Sequence, residues 1–153
     1  MKERIKFSEI SNELIHVLMQ TETYIKKSQF PIQLIEMIKF RVSQINGCAY
    51  CLDMHFKEAI HHGESEKRLY SLSAWKECPY YSEKERITLE FAETLTLISE
   101  NHLSDDQFEK LQAHYTVQEI ADLTLIINQI NLWNRYMKIL GTEPGNHKVL
   151  QGS

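Results

Sequence analysis

Cys48 and Cys51 stand three residues apart, and His55 follows four residues after the second thiol, within Asn46-Gly47-Cys48-Ala49-Tyr50-Cys51-Leu52-Asp53-Met54-His55. Positions three and four apart share a helix face, so these side chains can meet if the run is helical. A close dithiol cycles between thiol and disulfide, and a neighbouring imidazole can take the proton that masks a thiolate. The spacing therefore points to redox chemistry. Two other readings compete with it. Cys48, Cys51 and His55 are three of the four ligands a structural zinc site needs, with Cys78, His61 or His62 as the fourth. Alternatively the two thiols are buried and inert. A second C-x-x-C is absent, and a chain with several well-patterned helices needs no metal to fold. Redox is the preferred reading.

Local physics leaves open which sulfur attacks. Cys48 is nearer the positive end of the helix that the motif opens, which favours its thiolate. Cys51 is one turn before His55 and within reach of its base. Glu36 is the second residue of interest, set between Ile35 and Met37 in an apolar helix. From spacing alone it belongs to an exposed polar side with Gln33, Lys39 and Ser43. Buried, it would need a partner and would belong to a proton network.

The elements that must position these groups are helices. Leu, Ile, Glu, Lys and Gln dominate a chain of 153 residues with five glycines and three prolines. That length suits one domain, spanning residues 1–153 and burying about 70% of its unfolded surface. Ser8 opens a pattern with Ile10, Leu14, Val17 and Leu18 on one stripe; Pro31 opens the next, with Ile35, Ile38, Val42 and Ile45, and Asn46-Gly47 ends it. The dithiol then lies at the N-terminus of a third helix that runs to Gly63, and a short fourth covers about 65–74. Glu77 to Tyr81 is a break, the Tyr80-Tyr81 pair packing there. Ser82 with Glu85, Ser104 with Gln107 and Thr116 with Glu119 have capping-box form. They start a helix carrying Ile87, Phe91, Leu95 and Ile98, then another, then a last long helix from 117 to 140 that Gly141 and Pro144 stop. The expected fold is all-α, with about seven helices and no strand. The last helix is apolar around much of its girth and is expected at the centre or across a subunit interface.

A net charge of −4 with no long basic run gives nucleic-acid binding no electrostatic support. No apolar stretch reaches the ~18 residues of a membrane span. The charged start, Met1-Lys2-Glu3-Arg4-Ile5-Lys6, lacks the apolar core of a signal peptide, so the expected compartment is the cytoplasm. Three cysteines argue against a secreted disulfide scaffold, and Cys78 is read as an ordinary thiol. Trp133-Asn134-Arg135 could line a pocket, but on a buried helix a structural or intersubunit role is the preferred reading, and His61 and His62 are read as a solvated pair at a helix end.

The run from Arg41 to His55, with Glu36 before it, resembles the alkylhydroperoxidase AhpD-like family of the carboxymuconolactone decarboxylase superfamily. Its pattern is a Glu, eleven residues, C-x-x-C, three residues and a His, and Glu36, Cys48, Cys51 and His55 are all in register. The likeness continues through His62-Gly63-Glu64, Leu72 to Lys76 and Glu85-Arg86 to Asn131 to Arg135, covering about residues 30–140. The resemblance implies an all-α single domain assembling as trimers or larger rings such as hexamers. It also implies thiol-dependent reduction of hydroperoxides without a cofactor or a resident metal. Cys51 is then the peroxide-attacking thiol, Cys48 closes the disulfide, and His55 with Glu36 relays protons. An external dithiol resets the site: a dihydrolipoyl group on a partner protein, or a thioredoxin-like protein. The best-studied branch has a second His just before the second Cys, where this chain has Tyr50, a poor base at neutral pH. The alternative function is a non-catalytic oligomeric redox sensor or binding protein. The superfamily's lactone decarboxylases generally lack the dithiol.

Overall fold

Residues 2–149 are described here, from a computed structural model of the chain. Among them are seven α-helices and no strand: α1 Asn12–Lys26, α2 Ile32–Asn46, α3 Ala49–His61, α4 Glu66–Ser71, α5 Glu83–Thr96, α6 Asp105–His114 and α7 Val117–Leu140. Two 3-10 segments, Phe7–Glu9 and Leu72–Glu77, accompany them. α2 lies in the middle, packed against α3, α5 and α7. One apolar core joins α2, α5 and α7 through Ile38, Val42, Phe91, Leu123, Ile127 and Ile130, and it includes Cys48 and Cys51. A second core, around Met37, Leu69, Leu72, Trp75 and Leu89, holds the α3–α4–α5 side together.

Helix ends follow local chemistry. Gly47 adopts φ 61° and ψ 43°, its N–H bonding to Gln44 O and the Cys48 N–H to Ser43 O. This left-handed turn ends α2 and delivers Cys48 as the N-cap of α3. At Gly141 (φ 73°) a Cβ would collide with the Lys2 carbonyl, because the N-terminal segment closes over the end of α7 through Arg4 N–H to Leu140 O. The boxes at Ser82/Glu85 and Thr116/Glu119 are complete. The one at Ser104 is half made: Ser104 Oγ accepts the Gln107 N–H, but the Gln107 side chain turns inward to Thr94.

Several expectations need correcting. α1 starts after Ser11, whose hydroxyl accepts the Leu14 N–H, and Phe7–Glu9 is a separate 3-10 turn. Its inward residues are Leu18 and Ile25, whereas Leu14 and Val17 are exposed. The expected stripe was drawn in part through residues outside the helix. The fourth helix ends at Ser71, and 3-10 turns follow to Glu77 across a kink at Ala74 (φ −126°, ψ 30°), with Leu72 and Trp75 buried on either side of it. Ile98 lies beyond α5 and is exposed. No helix is long and apolar enough to cross a membrane among the described residues.

Candidate functional site

α2 and α3 run side by side and bring the four expected residues together. The Cα atoms of Cys48 and Cys51 are 5.4 Å apart, and their sulfurs lie close to disulfide distance. Across the helix pair, His55 Nδ1 is 2.7 Å from Glu36 Oε2. All four residues are buried: Cys48 2%, Cys51 1%, His55 3% and Glu36 6% exposed. Of the polar side expected around Glu36, only Gln33 faces solvent. Lys39 and Ser43 are buried as well, because α2 has helices on several sides.

Burial by itself would push the Glu36 carboxyl up. The His55 charge, the His55 hydrogen bond and the nearby Lys39 and His62 charges outweigh it and hold the group below the ordinary glutamate range. An ionised carboxylate only accepts, so His55 Nδ1 carries the proton of that bond, and in the neutral imidazole Nε2 is the nitrogen without a proton. Nε2 is buried and makes no hydrogen bond.

A cavity of about 600 Å³ lies against this pair, in the size range of small-molecule sites. Cys51 borders it; Cys48 does not. Phe30, Ile32, Ile35, Met54, Trp133 and Met137 form its apolar wall. Glu22, Glu36, Lys39, His55, Glu58 and His62 form its polar wall. Lys39 Nζ donates to Glu22 Oε2 at 2.8 Å, and Trp133 Nε1 donates to Glu22 Oε1 at 2.7 Å. Behind the cysteines an amide network ties α2 to α7. Asn46 Nδ2 donates to Asn131 Oδ1 (2.9 Å) and Asn134 Oδ1 (2.8 Å), and Asn134 Nδ2 donates to Ser43 Oγ (3.0 Å).

Residues 12–94 match the carboxymuconolactone decarboxylase family. The chain belongs to that family. The uncharacterised protein YdfG of Bacillus subtilis is 43% identical over 141 residues, 92% of this chain and 96% of that protein. A crystal structure from Agrobacterium tumefaciens, of a protein of unknown function named as a candidate antioxidant defence protein AhpD, superposes with a TM-score of 0.90 at 39% identity. That match covers 95% of this chain and all of the other. The debrominase Bmp8, solved with 2,3,4-tribromopyrrole, shares the fold alone: TM-score 0.75, 18% identity, 88% of this chain and 72% of that one. The AhpD-like all-α fold of the family is thus the fold of this protein.

Glu36, Cys51 and His55 line one cavity and Cys48 pairs with Cys51. Trp133, for which a structural role was preferred over pocket lining, lines the cavity and bonds Glu22. His62, read as solvated, also lines it and is half-buried. Glu22 and Lys39 reach it from α1 and α2. The one available signal was a lysine one turn after Glu36 in a helix otherwise rich in apolar residues. Tyr50, where the best-studied branch carries a His, is half-buried on the cavity edge. Burial, and then the Asp53 charge, raise its phenol above the ordinary value of 10.0, so it is a weaker acid still and at neutral pH has an O–H to donate but no charge to act as a base. Cys78 packs at the edge of the second core as a free thiol. Among the described residues no three His, Cys, Asp or Glu side chains converge to hold a metal.

Proposed function

We propose that the protein is a thiol-dependent, peroxidase-like oxidoreductase that reduces hydroperoxides through a Cys48/Cys51 dithiol–disulfide cycle. The observation that carries this reading is that Cys51 borders the cavity while pairing with Cys48 behind it, with the His55–Glu36 pair in the same wall. In the reduced state His55 Nε2 takes the Cys51 proton, and Glu36 stabilises the resulting imidazolium. The thiolate attacks the terminal peroxide oxygen. The O–O bond breaks, the sulfur becomes a sulfenic acid, and the alkoxide leaves as alcohol with the proton returned through His55. Cys48 then attacks the Cys51 sulfur, the S–S bond forms and water leaves. An external dithiol, a dihydrolipoyl group or a thioredoxin-like protein, takes the disulfide back to two thiols and is itself oxidised. Assembly as trimers or hexamers and a cytoplasmic location complete the reading.

Peroxide consumption with a dithiol reductant tests it. Cys51→Ser abolishes consumption with helical content unchanged. With no reductant added, Cys48→Ser gives one stoichiometric turnover and accumulates a Cys51 sulfenic acid that dimedone traps. Full turnover in Cys51→Ser defeats the proposal. Disulfide formation at rates too slow for multiple turnovers, with every candidate reductant, favours the redox sensor instead.

A further inference from the structure

We propose that Lys39 is a positioning residue that sets the proton balance of the site, acting through Glu36 on His55, and that Glu22 and Trp133 hold it in place. The inference rests on the Cys51–His55–Glu36 relay above.

Lys39 is 6% exposed and on the cavity wall. It is one helical turn from Glu36 on α2, so the two side chains share a face. An unpaired ammonium in such a setting is strongly disfavoured. Lys39 is held by one carboxylate oxygen of Glu22, and the other oxygen of that carboxylate accepts from Trp133. Helices α1, α2 and α7 therefore converge on this one cation. Water screens little of its field there. Burial works against an ionised Glu36, and the Lys39 charge adds to those of the His55 pair in overcoming it.

The groups facing this relay are few. α1 presents Glu22 and Lys26; α2 presents Lys39; α3 presents Tyr50, Cys51 and Glu58; and His62 follows α3. α7 presents Trp133 and Met137, which do not titrate. Glu58 is engaged by His147 at 2.6 Å. Moving a proton from Cys51 to His55 leaves the net charge of the site unchanged. Taking up one more proton adds a positive charge next to Lys39. Lys39 thus opposes that uptake and extends the reactive form to lower pH. A merely structural staple between α1 and α2 would have no such sign.

Alkylation of Cys51 by iodoacetamide in the reduced full chain, followed from pH 4 to 9 by peptide-resolved mass spectrometry, needs no peroxide turnover. Lys39→Met shifts the midpoint up by about one pH unit, the scale of a lost neighbouring charge. Glu22→Gln keeps an acceptor oxygen for the ammonium but removes the negative charge that offsets it, and shifts the midpoint down. Lys39→Arg stays at the wild-type value. Unmoved midpoints, or shifts of both variants in one direction, overturn the inference. If Lys39→Met does not fold, the presence or absence of the downward shift in Glu22→Gln decides. A His55→Gln profile identical to wild type overturns the relay itself. A His55-dependent profile indifferent to residues 22 and 39 overturns only the role of Lys39.

Discussion

Glu36 and His55 are a buried acid–base pair, and each is intelligible only through the other. Their bond makes Nδ1 the donor to the carboxylate, and Nε2 stays buried without a hydrogen bond. Glu36→Gln keeps an acceptor in place but removes the charge that stabilises an imidazolium. The second-order rate with an organic hydroperoxide should fall on the order of 100-fold, the low end of what an acid–base group contributes, as stopped-flow kinetics would show. A rate within a factor of two of wild type would remove Glu36 from the relay. The sequence placed Glu36, Cys48, Cys51 and His55 in register but left Glu36 on a solvated face. Periodicity ranks the faces of one helix; it is silent about helices arriving from the other side.

At the scale of elements, the caps were legible because they are local. Thr116 accepts the Glu119 N–H and Glu119 accepts back, as the four-residue spacing requires. Thr116→Ala should cost about 1 kcal/mol. Ser104-x-x-Gln107 has the same letters and a different outcome. Gln107 is buried and donates to Thr94 Oγ1 at 2.9 Å, tying α6 to α5. Gln107→Ala should therefore cost more than a lost cap, roughly 1–3 kcal/mol, since it strands a buried hydroxyl. Urea denaturation of both variants checks the ranking, and equal losses would count against the tertiary role of Gln107. The turn at Gly47 decides how the thiols are presented. Apart from its chain neighbours, no atom lies within 4 Å of a Cβ built there, so Gly47→Ala should lose roughly 1–2 kcal/mol through backbone conformation alone.

Across the whole molecule, buried and half-buried carboxylates make stability depend on acid. For Glu36, Glu85 and Glu93 burial pushes upward, yet each is held below the ordinary value of 4.5: Glu36 mainly by His55, Glu85 by Arg68 and the Ser82 cap, Glu93 by Trp75 and Arg41. A lowered folded-state pKa gives stability that is complete above 4.5 and is lost as pH falls below it through the folded values. Thermal melts should thus be flat from neutrality to about pH 5 and drop steeply below. Glu93 carries the tie between α2, the Trp75 segment and α5, accepting from Arg41 at 2.6 Å and Trp75 at 2.7 Å. Glu93→Gln should cost about 2–3 kcal/mol at pH 7 and flatten the acid drop, since it removes one of the groups that must be protonated. An unchanged acid slope would count against this origin.

The sequence by itself determined the helical content, most helix ends and the close spacing of the Cys48–Cys51 pair. Each depends on interactions within a few residues: a cap, a left-handed glycine, a thiol spacing. Tertiary structure decided the burial of Glu36 and Lys39, the outward turn of Leu14 and Val17, the continuation of 3-10 winding through Trp75, and which sulfur borders the cavity. Those outcomes depend on surfaces that only packing brings together, because a helix side faces solvent or protein according to what its neighbours leave uncovered.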